Sequence, residues 1–111
     1  MRHWTGHADW PAIVQLYDAL VMRSDSPVLR LNRAVALAQV QGPEHALAAL
    51  DLLAGDARLA DYQPYWAARA AVLAQCSRLA EADAAFTRAI GLERDPAVRT
   101  YLLVQQQALA R

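Results

Sequence analysis

The sequence contains a single cysteine, Cys76, and no apolar run that approaches the length of a membrane-spanning helix. One cysteine excludes an internal disulfide and a metal site built from several cysteines. The first residues also lack the apolar core of a secretory signal peptide. We therefore expect a cytoplasmic protein that makes no contact with a membrane.

The chain also lacks an excess of charge of either sign, because eleven basic residues balance eleven acidic ones. A nucleic acid is a polyanion, and a protein that binds it unaided usually presents a basic surface. We therefore expect no direct nucleic-acid binding by this fragment.

Motifs for common catalytic chemistry are missing as well. There is no glycine-rich phosphate loop, no Ser-His-Asp order and no nucleophile elbow. His3 and His7 have helical i,i+4 spacing but lack further ligands, and His45 is remote from them in the sequence. Cys76 has an apolar context near a helix end, which favours a small buried residue over a nucleophile. We expect no catalytic residue, metal or cofactor, so a small enzyme or ligand-binding bundle is only the third hypothesis.

The chain does contain a seven-residue sequence motif, the repeated phrase, in two copies. Residues 33–39 read Arg-Ala-Val-Ala-Leu-Ala-Gln, and residues 69–75 read Arg-Ala-Ala-Val-Leu-Ala-Gln, 36 residues later. Over the aligned stretches 32–55 and 68–91, nine of 24 positions are identical. A fixed period in this range indicates a stack of similar supersecondary units.

Capping residues, prolines and glycines divide the chain into about six helices with no strand pattern, so the predicted fold class is all-α. Residues 1–8 are predicted to be a flexible lead-in, and 9–111 a single domain. The predicted helices are 9–22, 27–41, one from 43 to about Gly55, one from about 63, one from Ser77 to Gly91, and 96–110.

The second copy of the phrase belongs to a ladder in which large and small apolar residues alternate. Such a ladder lets two antiparallel helices cross closely at the alanines. It resembles the tetratricopeptide repeat, and that resemblance implies a right-handed stack of two helical hairpins, about 27–55 and 63–91, capped by helices 9–22 and 96–110. The ladder is Trp66, Ala70, Leu73, Ala82, Phe86 and Ala89 in the second copy, and Ala34, Leu37, Ala46, Leu50 and Leu53 in the first, with Arg30 in the place of the tryptophan.

A wider set of residues resembles the C-terminal extension domain of extracytoplasmic-function RNA polymerase sigma factors of bacteria. The set comprises the Asp9-Trp10-Pro11 entry, Ser26-Pro27, the string Leu31-Asn32-Arg33-Ala34-Val35-Ala36, Gly42-Pro43 and Ala68-Arg69-Ala70. The resemblance implies a non-catalytic protein-interaction and regulatory domain that controls a sigma factor in transcription initiation. Its partners would be the sigma factor's core domains or RNA polymerase. The alternative is a stand-alone adaptor that binds another protein.

Three polar residues near the repeated phrase are candidate structural anchors. Arg33 and Arg69 stand where tetratricopeptide repeats are usually apolar, and a half-buried guanidinium needs partners. The candidate partners of these two arginines within the chain are Asp18, Asp51 or helix-end carbonyls. The alternative is that one arginine binds the carboxylate of a partner protein. Asn32 is expected either to tie its helix to a neighbouring backbone or to line a groove.

The resemblance also implies a concave groove lined by the first helix of each hairpin. Such a groove is apolar, and an exposed apolar groove is costly in water. Either a terminal helix of the chain (9–22 or 96–110) or a partner helix is expected to fill it, and a homodimer through the groove is a further possibility. The groove residues implied are Leu31, Val35, Ala38 and Gln39, and Ala67, Ala71, Ala74 and Gln75.

Overall fold

The computed structural model describes residues 8–110, so the expected lead-in lies outside the described residues except for Ala8. Six α-helices and no strand occur within residues 8–110, which confirms the all-α fold class. The helices are α1 (Trp10–Arg23), α2 (Pro27–Gln41), α3 (Pro43–Asp51), α4 (Gln63–Gln75), α5 (Leu79–Leu92) and α6 (Pro96–Ala108), and a short 3-10 turn (Ala57–Leu59) precedes α4.

Three helices begin where a capping side chain meets a proline. The side chains of Asp9, Ser26 and Asp95 each accept a hydrogen bond from a backbone N–H two or three residues later, at 3.2, 3.3 and 2.9 Å. Each bond satisfies a donor that has no partner inside the helix. The sequence therefore predicts the starts of these three helices.

Other boundaries differ from the prediction. The third helix ends at Asp51 and not near Gly55, because turns and the 3-10 turn capped by Asp56 take over. The fifth helix begins at Leu79 and not at Ser77, and it continues through Gly91 to Leu92. Gly91 does not end the helix because its φ is not positive, so it does not adopt the left-handed conformation of a C-terminal cap.

Left-handed residues close the two hairpin turns. Gly42, between α2 and α3, has φ +95°, and Ser77, between α4 and α5, has φ +60°. Around Ser77 the N–H of Arg78 donates to the carbonyl of Leu73, and the N–H of Ser77 donates to the carbonyl of Ala74. This pair of bonds is the Schellman motif, which ends a helix on a left-handed residue. The second turn therefore has a helix-ending geometry without the glycine expected there.

Helices pack chiefly on their neighbours in the chain. The contact of α4 with α5 is the most extensive, followed by α2 with α3 and α1 with α2, whereas α3–α4 and α5–α6 are smaller. The ladder residues form the core of these crossings: Ala34, Ala46, Leu50, Ala70, Ala82 and Ala89 are fully buried, and Leu37, Leu53, Leu73 and Phe86 nearly so. Trp66 is only partly buried, and Arg30 is exposed.

The hydrophobic core is unevenly distributed among the helices. It is built by α2 to α5 and the 3-10 turn, with a single fully buried contribution from α6, Leu102. No residue of α1 is fully buried, and none belongs to the core cluster. The two terminal helices thus lie at the edges of the helical domain.

Candidate interaction site

A cleft of about 520 Å³ separates α4 from α6. Alanines of α4 form its floor, and larger side chains of α5 and α6 form its walls. Small residues on one helix let another backbone approach closely. The lining residues are Ala67, Ala68, Ala71, Ala74, Gln75, Phe86, Tyr101, Leu102, Gln105, Ala108 and Leu109.

None of the residues that line the α4–α6 cleft is charged, although charged residues make up 20% of the chain. Its polar groups are the phenol of Tyr101 and the amides of Gln75 and Gln105. Both glutamines are exposed, and neither amide makes a hydrogen bond within the described residues. The cleft therefore suits an apolar, uncharged surface, with amides free to bond at its rim.

The structure brings together part of the predicted groove. Ala67, Ala71 and Gln75 line the α4–α6 cleft with Ala74. Val35 is 41% exposed and Gln39 is also exposed, but both lie on α2 and neither lines this cleft. The prediction for Leu31 was wrong: the residue is 2% exposed and belongs to the core, because its side of α2 packs inward.

The terminal helices do not fill the groove. α1 packs on α2, and α6 forms one wall of the α4–α6 cleft. Leu102 anchors α6 in the core, and the Gln106 amide donates to the Asp83 carbonyl at 3.1 Å and to Thr87 Oγ1 at 2.9 Å, both on α5. Sequence reasoning missed Tyr101 and Gln105 as lining residues. Their signal was the uncharged stripe that they form with Ala108 at i, i+4 and i+7 in the last helix.

Arg69 makes a polar joint between the two hairpins. Its guanidinium donates to Asp51 Oδ1 at 2.7 Å, and its side chain is only 18% exposed. One turn earlier on α4, the hydroxyl of Tyr65 donates to the carbonyl of Leu50 at 3.2 Å. Burial raises the pKa of Tyr65, so the phenol remains a donor well into the alkaline range. The end of α3 is thus held by two side chains of α4.

Arg33 makes the corresponding contact one hairpin earlier, where its Nε donates to Asp18 of α1. Its side chain is 36% exposed, twice the fraction of Arg69. Asn32 is not an anchor: it is exposed, and its side chain makes no hydrogen bond within the described residues. Asn32 therefore lies on the outer side of α2. The other prediction for Asn32 was that it lines a groove, and it does not line the α4–α6 cleft.

A second cleft, of about 510 Å³, lies between α1, α2 and the 3-10 turn, and it has the opposite character. Arg58 spans it, donating to Asp56 through Nε at 3.1 Å and through Nη2 at 2.9 Å, and to the Asp25 carbonyl at 3.2 Å. The hydrogen bonds from Arg58 lower the pKa of Asp56. Six of the eleven lining residues are charged, and they form ion pairs with one another. Through Arg58 these ion pairs connect the loop at Asp25 with the turn at Asp56.

Cys76 is half-buried, not fully buried as predicted, because the helix ends at this residue. Its thiol is free, and burial raises its pKa, so little thiolate is present at neutral pH. Within residues 8–110 no group of three histidine, cysteine or acidic residues could hold a metal ion. His3 and His7 lie outside the described residues. No helix in the described part of the chain combines the length and the hydropathy needed to cross a bilayer.

One curated protein resembles this chain over most of its length. An uncharacterized protein of Rhizobium meliloti (strain 1021) is 43% identical over 102 residues, which cover 92% of this chain and 24% of that protein. The chain therefore spans about a quarter of the length of the curated relative it matches. No family model matches the chain. No solved structure gives a significant match.

Proposed function

We propose that this chain is a non-catalytic regulatory domain that binds another protein through the α4–α6 cleft. Its fold would be a tetratricopeptide-like stack of the hairpins α2–α3 and α4–α5. Within a larger protein it would serve as the C-terminal extension of an extracytoplasmic-function sigma factor and control transcription initiation in the cytoplasm. The partner would be the promoter-binding part of the sigma factor or RNA polymerase.

The observation that carries the binding role is the chemistry of the cleft. An alanine floor, apolar walls and no charge make a surface that loses little on desolvation and gains from burial against a helix. Its exposed members do not take part in the core, so the fold does not require them to be apolar. We infer that these residues are apolar because a partner covers them.

The sigma-factor assignment rests on the string Leu31-Asn32-Arg33-Ala34-Val35-Ala36 and its Ser26-Pro27 context. Packing accounts for the alanines and Leu31, which are buried, but not for exposed Asn32. The relative from Rhizobium meliloti is about four times as long as the matched segment, which leaves room for promoter-binding regions elsewhere in that protein. The alternative is a stand-alone adaptor, which would use the same cleft for an unrelated partner.

A binding experiment with purified components tests the proposal. The tagged chain is mixed with bacterial RNA polymerase core enzyme and, separately, with the part of the Rhizobium meliloti relative outside the matched region. We expect capture of at least one of them. Ala71→Arg should weaken that capture at least tenfold, because it puts a charge and a long side chain on the cleft floor at an exposed position.

Ala84→Arg is the matched control. Ala84 is an equally exposed alanine in the middle of α5, and it does not line the cleft. Both variants should keep the helical circular dichroism and melting behaviour of the parent. If neither component is captured, the sigma-factor assignment is wrong. If Ala84→Arg weakens capture as much as Ala71→Arg does, the cleft is not the binding site.

A further inference from the structure

The last helix, α6, exposes more large hydrophobic side chains than any other helix of the described chain. Within residues 8–110, ten large hydrophobic side chains are exposed, and four of them lie on this one helix. Tyr101 is 62% exposed, Val104 55%, Leu103 41% and Val98 36%. Packing on α5 accounts for Leu102 and Gln106 only. These four side chains form the exposed apolar strip of α6, which the described residues cover only in part.

The strip and the cleft lie next to each other and have the same chemistry. Tyr101, Gln105 and Ala108 line the cleft on the side of α6, and Val104 lies one turn after Tyr101 on the same side of the helix. Arg99 is the only charged residue of α6, and it does not line the cleft. An uncharged helix surface is what an uncharged, alanine-floored cleft can accept, and the side of α6 that carries Tyr101 and Val104 is such a surface.

We propose that this chain forms a two-fold homodimer in which α6 of each copy lies in the α4–α6 cleft of the other. A two-fold contact uses the same surface on both copies, so every contact between two residues occurs twice, and residues near the axis meet their own kind. Like charges would then repel across the axis. The uncharged strip and cleft avoid this repulsion, whereas the second cleft, with its six charged residues, does not.

The size of the surface sets the strength of the dimer. Thirteen residues make α6 about 20 Å long, and a helix is about 10 Å wide. Two helices of these dimensions cover less than the roughly 800 Å² per partner of a standard stable interface. We therefore expect a dimer in rapid exchange with monomer, with a Kd on the order of 10–100 µM.

Analytical ultracentrifugation of the isolated chain, from about 1 µM to about 1 mM, tests the dimer. We expect the average mass to rise from monomer to dimer. Tyr101→Arg and Ala71→Arg should each raise the Kd at least tenfold. Ala84→Arg is the control, since it adds the same charge to an exposed position of α5 outside both the strip and the cleft. A monomer at every concentration, or equal weakening by Ala84→Arg, would overturn the proposal.

Disulfide trapping tests the arrangement directly, because Cys76 is the only cysteine of the chain. In a Cys76→Ser background, one copy carries Ala71→Cys and a differently tagged copy carries Tyr101→Cys. Diamide then oxidises the two thiols to a disulfide and is itself reduced to the hydrazine. We expect a mixed cross-linked dimer from this pair and none from Ala84→Cys with Gln107→Cys. Equal cross-linking of both pairs would contradict the proposed contact.

This dimer covers the surface that the proposed partner would use. Capture of the partner should therefore rise less than in proportion to the concentration of the chain above the Kd of the dimer, because a growing share of the chain is dimeric. The dimer experiments contain no polymerase and no sigma-factor fragment. A failure of the dimer would thus leave the proposed partner binding standing, and a failure to bind the partner would leave the dimer standing.

Discussion

At the residue scale, the two arginines of the repeated phrase make similar contacts in different surroundings. Each reaches back to an aspartate on the preceding helix: Arg33 to Asp18 and Arg69 to Asp51. The side chain of Arg69 is 18% exposed and that of Arg33 is 36% exposed. An ion pair gains strength as water is excluded from it, so the repeated arginine should matter more in the second copy than in the first.

We predict that Arg69→Ala lowers the free energy of unfolding by about 1–2 kcal/mol, and Arg33→Ala by less than about 1 kcal/mol. The cost at Arg69 stays below that of a fully buried pair because Asp51 is 52% exposed and can be hydrated once its partner is gone. Urea unfolding of both variants measures the two values. An equal or larger loss for Arg33→Ala would contradict the role of burial.

A double-mutant cycle separates the Arg69–Asp51 interaction from the packing of the arginine stem. The variants are Arg69→Ala, Asp51→Ala and their combination. If the ion pair carries the effect, the double variant should lose little more than Arg69→Ala alone. A fully additive loss would assign the effect to the apolar stem of Arg69.

The second residue-scale feature is the carboxylate of Asp56. It accepts hydrogen bonds from Arg58, which also donates to the carbonyl of Asp25 in another loop. Hydrogen bonds from Arg58 lower the pKa of Asp56 below its ordinary value of 3.8. A carboxyl group with a lowered pKa stabilises the fold above its ordinary pKa, and that contribution is lost as the pH falls through the pKa of the folded state. Acid should therefore release this contact.

We predict that Arg58→Gln destabilises the chain at about pH 7 and has a smaller effect at about pH 2, because acid protonates Asp56 and weakens its contact with Arg58. Melting temperatures of the parent and the variant at both pH values give the effect of Arg58→Gln at each pH, and the carboxyl groups that do not contact Arg58 cancel in the comparison. Asp25, which also pairs with Arg58, contributes together with Asp56. Arg99→Gln is the control, since Arg99 is exposed and makes no ion pair within the described residues. A pH-independent effect of Arg58→Gln would contradict the prediction.

At the element scale, the two hairpin turns solve the same problem with different residues. Each turn needs one left-handed residue, supplied by Gly42 in the first and by Ser77 in the second. A side chain at positive φ crowds the following carbonyl, a cost that glycine does not have. The second turn is therefore strained in a way that the first is not.

We predict that Ser77→Gly stabilises the chain by up to about 1 kcal/mol, because glycine removes the strain and Ser77 donates no side-chain hydrogen bond within the described residues. Gly42→Ala should destabilise the chain by about 1–2 kcal/mol because alanine is strained at a φ of +95°. The added Cβ would meet no steric clash, so the backbone conformation alone causes this loss. Gly91→Ala is the control, a helical glycine with open space around it, and should be neutral or stabilising. Thermal and urea unfolding measure all three.

Helix starts were predictable where one side chain performs a local task, as at Asp9, Ser26 and Asp95. The end of the second helix at Gln41 was also predicted. The boundaries near Ser77 and Gly91 were not, because they depend on backbone geometry that several residues can adopt: Ser77 has a positive φ, which glycine adopts most easily, and Gly91 does not. The cleft was half predictable. The resemblance to the tetratricopeptide repeat implied Ala67, Ala71 and Gln75, but the wall formed by α6 depends on how the last helix packs, which no local pattern specifies.

At the scale of the whole molecule, stability should follow the distribution of the core. The α4–α5 hairpin holds the most extensive helix contact, and both of its helices bury several side chains, among them Leu73 and Phe86. Apart from α2, α1 has no extensive neighbour, and none of its residues is fully buried. A segment with few buried apolar contacts opens at a lower free energy than the molecule as a whole.

We predict that backbone amides in the middle of α1 exchange with deuterium at least about 100-fold faster than those in α4 and α5, which corresponds to opening free energies that differ by roughly 3 kcal/mol. Native-state hydrogen exchange read by mass spectrometry measures the rates. A chain shortened to begin at Ser24, which keeps Ser26 to cap α2, is the second test and should still unfold cooperatively because α1 contributes nothing to the core cluster. Equal protection across the helices, or loss of folding on truncation, would show that α1 belongs to the cooperative unit despite its exposure.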